Sequence, residues 1–287
     1  MNNIYLKHYL LDPDNTEKFV FQDENGILEI VRINTKQDRD IYCIPSMYEC
    51  RLGCTMCYLT INNIKSSSKK LPYDSIEYCI KYILKNYSSN KQGVQISIMG
   101  VGDPQLNMEL VERLSLSNWV DRLSVATIFP MGKPFPHNVK IHYSLHSPIE
   151  EKRKMIIPNG KISIKAAIDY LINHHKGEKE IHYTLIENVN DTDEELKEMI
   201  KIIPYGFTVK FLDFKTSYKS KLSKSNKIYK WMKELEKNGI NTEFYYPPGE
   251  QIQGSCGLFT EGFYTNEKTK EFELYLEKYE IKNELSR

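Results

Sequence analysis

The 287-residue sequence has no apolar run near the roughly 18 residues that a membrane-spanning helix needs. Its first residues, Met1-Asn2-Asn3-Ile4-Tyr5, lack the basic-then-apolar order of a secretory signal. These two absences argue against a helical membrane protein and predict a cytoplasmic chain with no membrane partner. Charge of one sign is also missing: 39 Lys and Arg against 38 Asp and Glu leave a net charge of +1, so bulk charge names no partner. Only the local distribution of lysines can point to a polyanion. No internal repeat is present, which excludes a solenoid, and the one low-complexity stretch, Ser66-Ser67-Ser68-Lys69-Lys70, reads as a mobile loop. Cysteines number six, three of them within eight residues. In a reducing compartment that crowding favours metal or redox chemistry over a disulfide framework.

What is present is an ordinary globular composition, 40% hydrophobic and 27% charged, in a chain whose length suits one large α/β domain. The first forty residues hold a β-hairpin signal. Phe19-Val20-Phe21 and the alternating Ile27, Glu29, Val31 and Ile33 flank Asp23-Glu24-Asn25-Gly26, whose Asn-Gly pair suits a tight turn. From Ile41 onward, strand-like runs at 41–45, 95–99, 123–127, 139–144, 180–185 and 209–214 alternate with helical periodicity. One such helix carries Ile76, Cys79, Ile80, Ile83 and Leu84 on a single face, with Asp74 or Ser75 as its cap and Cys79 as core. Six strands alternating with helices predict parallel pairing and a full or partial α/β barrel, with chemistry at the carboxyl ends of the strands.

Cys50-Arg51-Leu52-Gly53-Cys54-Thr55-Met56-Cys57 places three thiols in a C-x3-C-x2-C spacing. Structural zinc would take four ligands, usually as two C-x2-C pairs, and no second pair is present. A zinc site completed by Cys43, in a non-catalytic RNA-binding protein, stays open as an alternative. The other alternative is an iron–sulfur cluster held by Cys50, Cys54 and Cys57, with one iron left for a substrate or cofactor. After the second predicted strand comes Gly100-Val101-Gly102-Asp103-Pro104, a turn whose exposed backbone and carboxylate suit an ammonium group.

The cysteine motif resembles that of the radical S-adenosylmethionine superfamily. The surrounding residues narrow the resemblance to its RNA adenine methyltransferases, which modify carbon 2 or carbon 8 of the base. The matching positions are Cys43, Gly100 to Pro104 with Leu106-Asn107, Ser144-Leu145-His146-Ser147-Pro148, Ile156-Ile157-Pro158, Asn188-Val189-Asn190-Asp191 and Ser255-Cys256-Gly257, so it runs from about Ile27 to about Thr260. It implies a partial (β/α)6 TIM-like barrel over residues 41–265, a short N-terminal β-hairpin extension over 1–40 and a helical tail over 266–287. It also implies a 4Fe-4S cluster and S-adenosylmethionine as cofactors.

The resemblance further assigns roles. Cys256 would carry the methyl group, Cys43 would resolve the covalent adduct as a disulfide with Cys256, and Glu29 would take the proton; an exposed strand glutamate is the alternative for Glu29. Gly102, Asp103, Thr127, Ser144, Leu145, His146 and Lys215 would bind S-adenosylmethionine. Several positions depart from the family pattern: Met56 where an aromatic residue is common, Asp103 for glutamate, Ala126 beside Thr127 for a serine, and Lys215 for an asparagine.

Only about sixteen residues precede the hairpin, so the helical accessory domain usual in the family is expected to be absent. A radical enzyme of another reaction type acting on a small or nucleotide substrate therefore stays open. RNA, rRNA or tRNA, and a flavodoxin- or ferredoxin-type electron donor are the expected partners of a monomer. Lys227, Lys230, Lys233 and Lys237 share one face of a helix opposite Ile228, Trp231, Met232 and Leu235. This is read as a solvated face, with phosphate contact beside Tyr218 and Tyr229 as the alternative. The remaining six histidines show no ligand pattern and are assigned to surface or core.

Overall fold

The structure, a computed structural model, describes residues 4–33, 35, 37–64, 69–215, 220–254, 258, 262–263 and 269–281. Cys256, Tyr218 and the serine run at 66–68 lie outside the described residues. The chain forms two compact units. The first comprises Met1–Arg51, Ile64–Ser124 and Pro248–Arg287; the second comprises Leu52–Asn63 and Val125–Pro247.

In the first unit the strands β1 (Tyr5–Leu11), β2 (Glu17–Gln22), β3 (Ile27–Ile33), β4 (Arg39–Ile44) and β5 (Gly93–Ile98) pair in chain order. The first four run antiparallel, whereas β4 and β5 are parallel. The predicted hairpin is β2 and β3, closed in the register Gln22 to Ile27. Its turn is not made by Asn-Gly in the way the sequence suggests. Only Gly26 takes a positive φ, 151°. The Asp23 carboxylate closes the loop instead, accepting the Asn25 and Gly26 N–H groups at 2.7 and 3.0 Å. β1 is an addition the sequence reading did not contain.

Helix α1 (Tyr58–Ile61) belongs to the second unit and α2 (Tyr73–Asn86) to the first. Ile76, Cys79, Ile80 and Ile83 of α2 are buried as predicted, but Leu84 is exposed. Neither Asp74 nor Ser75 caps α2. The cap position is Pro72, without a side-chain bond, and Asp74 instead accepts from Arg113 at 2.6 Å. Pro72, extended at φ −65° and ψ 142°, immediately precedes the first helical residue, Tyr73, so the helix starts upstream of both candidates.

β6 (Arg122–Thr127) divides its residues between the units. The second unit then has β7 (Val139–Ser144), β8 (Lys179–Thr184), β9 (Thr208–Leu212) and β10 (Asn241–Tyr245), all parallel and in chain order. Between β7 and β8 lie Glu150–Ile156 and Ile164–Asp169, the latter continued by a π turn; Asp193–Ile202 follows β8, and Ile228–Lys237 precedes β10. All six predicted strands are present, and their alternation with helices gives the α/β class expected.

β10 was not predicted because its residues, Asn241-Thr242-Glu243-Phe244-Tyr245, are mostly polar. Its partner β9 and the preceding turn position it. Gly239, at φ 75°, ends the helix Ile228–Lys237. That helix buries Ile228, Trp231 and Leu235, with Trp231 against Tyr183 at 5.7 Å between ring centroids. Trp231 is completely buried, so Trp231→Ala should lower stability by about 3–5 kcal/mol. The check is a lower urea midpoint with an unchanged slope.

Candidate active site

Strand alternation gathers three groups on one face of the first unit's sheet. Val31 of β3 pairs with Cys43 of β4, Lys18 of β2 pairs with Val31, and Val20 pairs with Glu29. Directly opposed residues share a face, and residues two apart along a strand do as well. Lys18, Glu29, Val31 and Cys43 therefore lie together, and all four are buried.

The C-terminal segment crosses this same face. Ile252 and Phe263 form a core cluster with Leu10 and Val20, backed by the helix Lys270–Tyr279 through Phe272, Tyr275 and Leu276. A Cβ added to Gly254 would stand 3.4 Å from a methyl of Val31. The chain thus passes over Val31 two residues before Cys256.

The approach to Cys256 is held by backbone bonds to charged groups. Asp12 accepts the N–H groups of Gln251 and Ile252 at 2.9 and 3.2 Å, Asp14 accepts that of Gly249 at 2.7 Å, and Tyr275 donates to the Ile252 carbonyl at 2.7 Å. Lys18 donates to the Gln253 carbonyl at 3.2 Å and is paired with Glu29. Glu29 is therefore not the exposed strand glutamate of the alternative assignment; it is 7% exposed. Burial lowers the Lys18 ammonium below its ordinary value, and the Glu29 charge opposes that effect. Lys18 was missed because a lysine in an alternating strand reads as solvent-facing; its signal is that it pairs with Val31 on a covered face.

In the same unit the glycine loop folds back on the segment after β4. Val101 accepts the N–H groups of Ser46 and Met47 at 2.9 and 3.2 Å. Gly102, at φ 89°, packs so closely that a Cβ would meet Met47 and lie 2.7 Å from the Ser46 hydroxyl. Asp103 is buried and accepts the Gln105 N–H at 2.9 Å, while Asn107 donates to the carbonyls of Ser46 and Leu71, both at 2.8 Å. Cys50 follows in this unit.

Cys54 and Cys57 belong to the second unit. Gly53 turns the chain at φ 67°, the Cys54 carbonyl accepts the Cys57 N–H at 3.0 Å, and the Ile156 carbonyl accepts the Thr55 N–H at 2.9 Å. Asn159 donates to the Leu52 carbonyl at 2.9 Å. Residues 156–159 thereby clasp the cysteine turn. Burial pushes the Cys57 thiol above its usual value, although N–H groups of Leu59 and Thr60 pull the other way. The soft sulfur donors on so short a turn fit an iron–sulfur cluster.

The remaining predicted cofactor residues also lie in the second unit. Thr127 ends β6, buried, and its hydroxyl accepts the Phe129 N–H at 2.9 Å. Ser144 ends β7, and Leu145 is fully buried, its N–H on the His182 carbonyl at 3.1 Å. His146 takes φ 55° and accepts the Thr184 N–H on Nδ1 at 3.3 Å. Its burial, with the Arg153 charge beside it, pushes the imidazole down to about 3. The ring is therefore neutral, with its proton on Nε2. Lys215 pairs with Asp213 at 2.9 Å and lies 3.8 Å from the Tyr246 ring centre.

The basic helix face keeps its solvated reading, with its lysines half exposed, and the histidine assignment changes. The basic helix face is engaged by the chain's own acids: Lys227 with Asp191 at 3.3 Å, Lys230 with Asp193 at 2.8 Å and Lys237 with Glu234 at 2.6 Å. The histidines do contain a ligand-like group, because the register of β7 on β8 brings His142, Glu180 and His182 together. The available signal was the spacing Glu180-Ile181-His182, two polar residues on one face of an otherwise buried strand.

The strand–helix alternation, with the cysteine turn after β4 and the glycine loop after β5, gives an α/β fold. No protein-family model matches the chain. It is 29% identical over 273 residues to a probable dual-specificity RNA methyltransferase RlmN of Lachnospira eligens, covering 85% of this chain and 74% of that protein. It is 26% identical over 265 residues to the protein of the same description in Clostridioides difficile, covering 85% of this chain and 76% of that one. It is 27% identical over 279 residues to the ribosomal RNA large subunit methyltransferase Cfr of Clostridium botulinum, covering 86% and 77%. The fold is that of a radical SAM methyltransferase from Sphaerobacter thermophilus, with a TM-score of 0.74, 21% identity and coverage of 89% of this chain and 80% of that one. Over most of its length the chain is thus similar to proteins described as RNA methyltransferases, and it shares the fold of a radical SAM methyltransferase.

Removing the Lys18 charge strands a buried carboxylate. Lys18→Ala should cost about 3–5 kcal/mol in chemical denaturation, and Lys18→Met combined with Glu29→Leu should recover most of that loss. His146 gives a pH test. Its folded value lies below the ordinary 6.5, so the unfolded chain binds the proton more tightly. Its contribution is complete above about pH 6.5 and is lost as pH falls towards 3. His146 by itself should make the protein about 2 kcal/mol less stable at pH 5 than at pH 7, so denaturation of His146→Gln should show a pH 5 to pH 7 difference smaller than that of the wild type by about that amount.

Proposed function

We propose that the chain methylates an sp2 carbon of adenine in RNA, carbon 2 or carbon 8, through a methyl group carried on Cys256. The observation that supports this most directly is the single sheet face shared by Cys43 and Glu29, crossed at Val31 by the segment that leads into Cys256. The named activities of the RlmN and Cfr relatives agree with it. Cys50, Cys54 and Cys57 hold the cluster. Gly102, Asp103, Thr127, Ser144, Leu145, His146 and Lys215 hold S-adenosylmethionine.

When bound, the cluster and S-adenosylmethionine supply the radical that removes hydrogen from a methyl group, which an unactivated aromatic carbon requires because it offers neither an acidic proton nor a nucleophilic lone pair. Cys256 carries the methyl as a thioether and links it to the base carbon. Glu29, paired with Lys18, takes the proton from that carbon. The adduct's unpaired electron would pass to the cluster; the Cys43 thiolate then attacks the Cys256 sulfur, and as the carbon–sulfur bond breaks its electron pair stays with the methylene carbon, which takes up a proton to give the methylated base and a Cys43–Cys256 disulfide.

Asp12, Asp14 and Tyr275 hold the chain at residues 249–252, and Gly254 then passes over Val31 on the face that carries Cys43. Electrons come from a flavodoxin- or ferredoxin-type protein, and the chain works as a cytoplasmic monomer.

Anaerobically reconstituted protein given S-adenosylmethionine, reductant and RNA should form 5′-deoxyadenosine and methyladenosine, with one labelled methyl on Cys256 by mass spectrometry. Cys43→Ala should leave RNA attached to the protein. An unlabelled Cys256 with 5′-deoxyadenosine still formed would overturn the methyl-carrier mechanism and leave a radical enzyme of another reaction type.

A further inference from the structure

Inside the second unit, three ligand atoms converge. His142 Nδ1 lies 2.6 Å from Glu180 Oε1 and 2.7 Å from His182 Nε2, and His182 Nε2 lies 3.0 Å from the same carboxylate oxygen. Strand register enforces this: His142 pairs with Glu180 across β7 and β8, and His182 follows two residues along β8 on the same face. All three side chains are buried.

Protons alone satisfy this triangle poorly. A carboxylate oxygen only accepts, and a neutral imidazole has one donor nitrogen and one acceptor nitrogen. If both facing nitrogens carry protons, both bond to Oε1, but two N–H groups then face each other at 2.7 Å. If only one does, the other nitrogen turns a lone pair to the carboxylate. Burial, with the His182 ring adding to it, pushes His142 down to about 3, and burial lowers His182 as well, so the uncharged, metal-ligating form is favoured at both.

The carboxylate is also oversubscribed. Lys210 Nζ lies 2.9 Å from Oε1 and Lys140 Nζ 2.6 Å from Oε2. With both histidines, Oε1 has three neighbours for two lone pairs.

We infer that His142, Glu180 and His182 form a site for one divalent first-row metal ion. An ion about 2.1 Å from each atom sees the three at roughly 75–90° to one another, near the angles of one octahedral face. Two imidazoles and one carboxylate on such a face leave its other positions for water or a small ligand. The ion takes one lone pair of Oε1 and Lys210 takes the other, while Lys140 orients the carboxylate through Oε2. Lys210 is itself paired with Glu243 at 3.0 Å, which offsets one of the two neighbouring positive charges. The site draws on none of the residues assigned above to the cluster, the methyl carrier or S-adenosylmethionine.

Zinc chloride tests it. Cluster-loaded protein is stripped of loosely held metal, mixed with zinc, desalted and assayed for zinc and iron. The wild type should retain one zinc per chain beyond the cluster iron. His142→Gln with His182→Gln should lose it while keeping the iron and the thermal melt, and Cys50→Ala with Cys54→Ala and Cys57→Ala should keep it. No zinc on the wild type, zinc that persists on the histidine variant, or zinc that leaves with the cysteines overturns the site. Should the histidine variant not fold, manganese(II) chloride on the wild type decides. Electron spin-echo modulation from imidazole nitrogen is expected, and its absence overturns the proposal.

Discussion

The pairing of Val31 with Cys43 across β3 and β4 constrains more of this molecule's chemistry than any motif taken alone. Side chains alternate along a strand, so a slip of one residue would carry Cys43 and Glu29 to opposite faces. With the register as it stands, both lie on the face that carries Lys18 and Val20 and that the C-terminal segment covers. The antiparallel strands at the start of the chain are therefore part of the candidate site.

Charge holds this arrangement as much as apolar packing does. Lys18, completely buried, pairs with Glu29 and also binds the Gln253 carbonyl, while Asp12 and Asp14 take three backbone N–H groups from residues 249–252. Hydrogen bonds to ionised partners are stronger than neutral ones. They fix a segment that has little regular structure of its own. The same economy recurs in the second unit, where Glu180 gathers two histidines and two lysines from three neighbouring strands.

Much of the fold was legible because its signals are local. Alternation marked β2 and β3, and buried apolar runs marked the six later strands. β10 was hidden because a polar edge strand carries almost no apolar signal, and its parallel pairing with β9 supplies what its composition does not. The cap of α2 was misplaced for a similar reason: Asp74 and Ser75 suit the role chemically, but the helix already begins at Tyr73, directly after Pro72.

The sequence by itself determined the cysteine spacing, the glycine loop and the α/β class, since each depends on residues close together in the chain and on backbone preferences that act within a few positions. Only the tertiary structure decided that Glu29 is buried against a lysine, that Gly254 passes over Val31 and that His142 meets Glu180 and His182. Those contacts join residues tens to hundreds of positions apart. Strand register and the covering of one sheet face create them, and neither quantity is encoded by any single stretch of the chain.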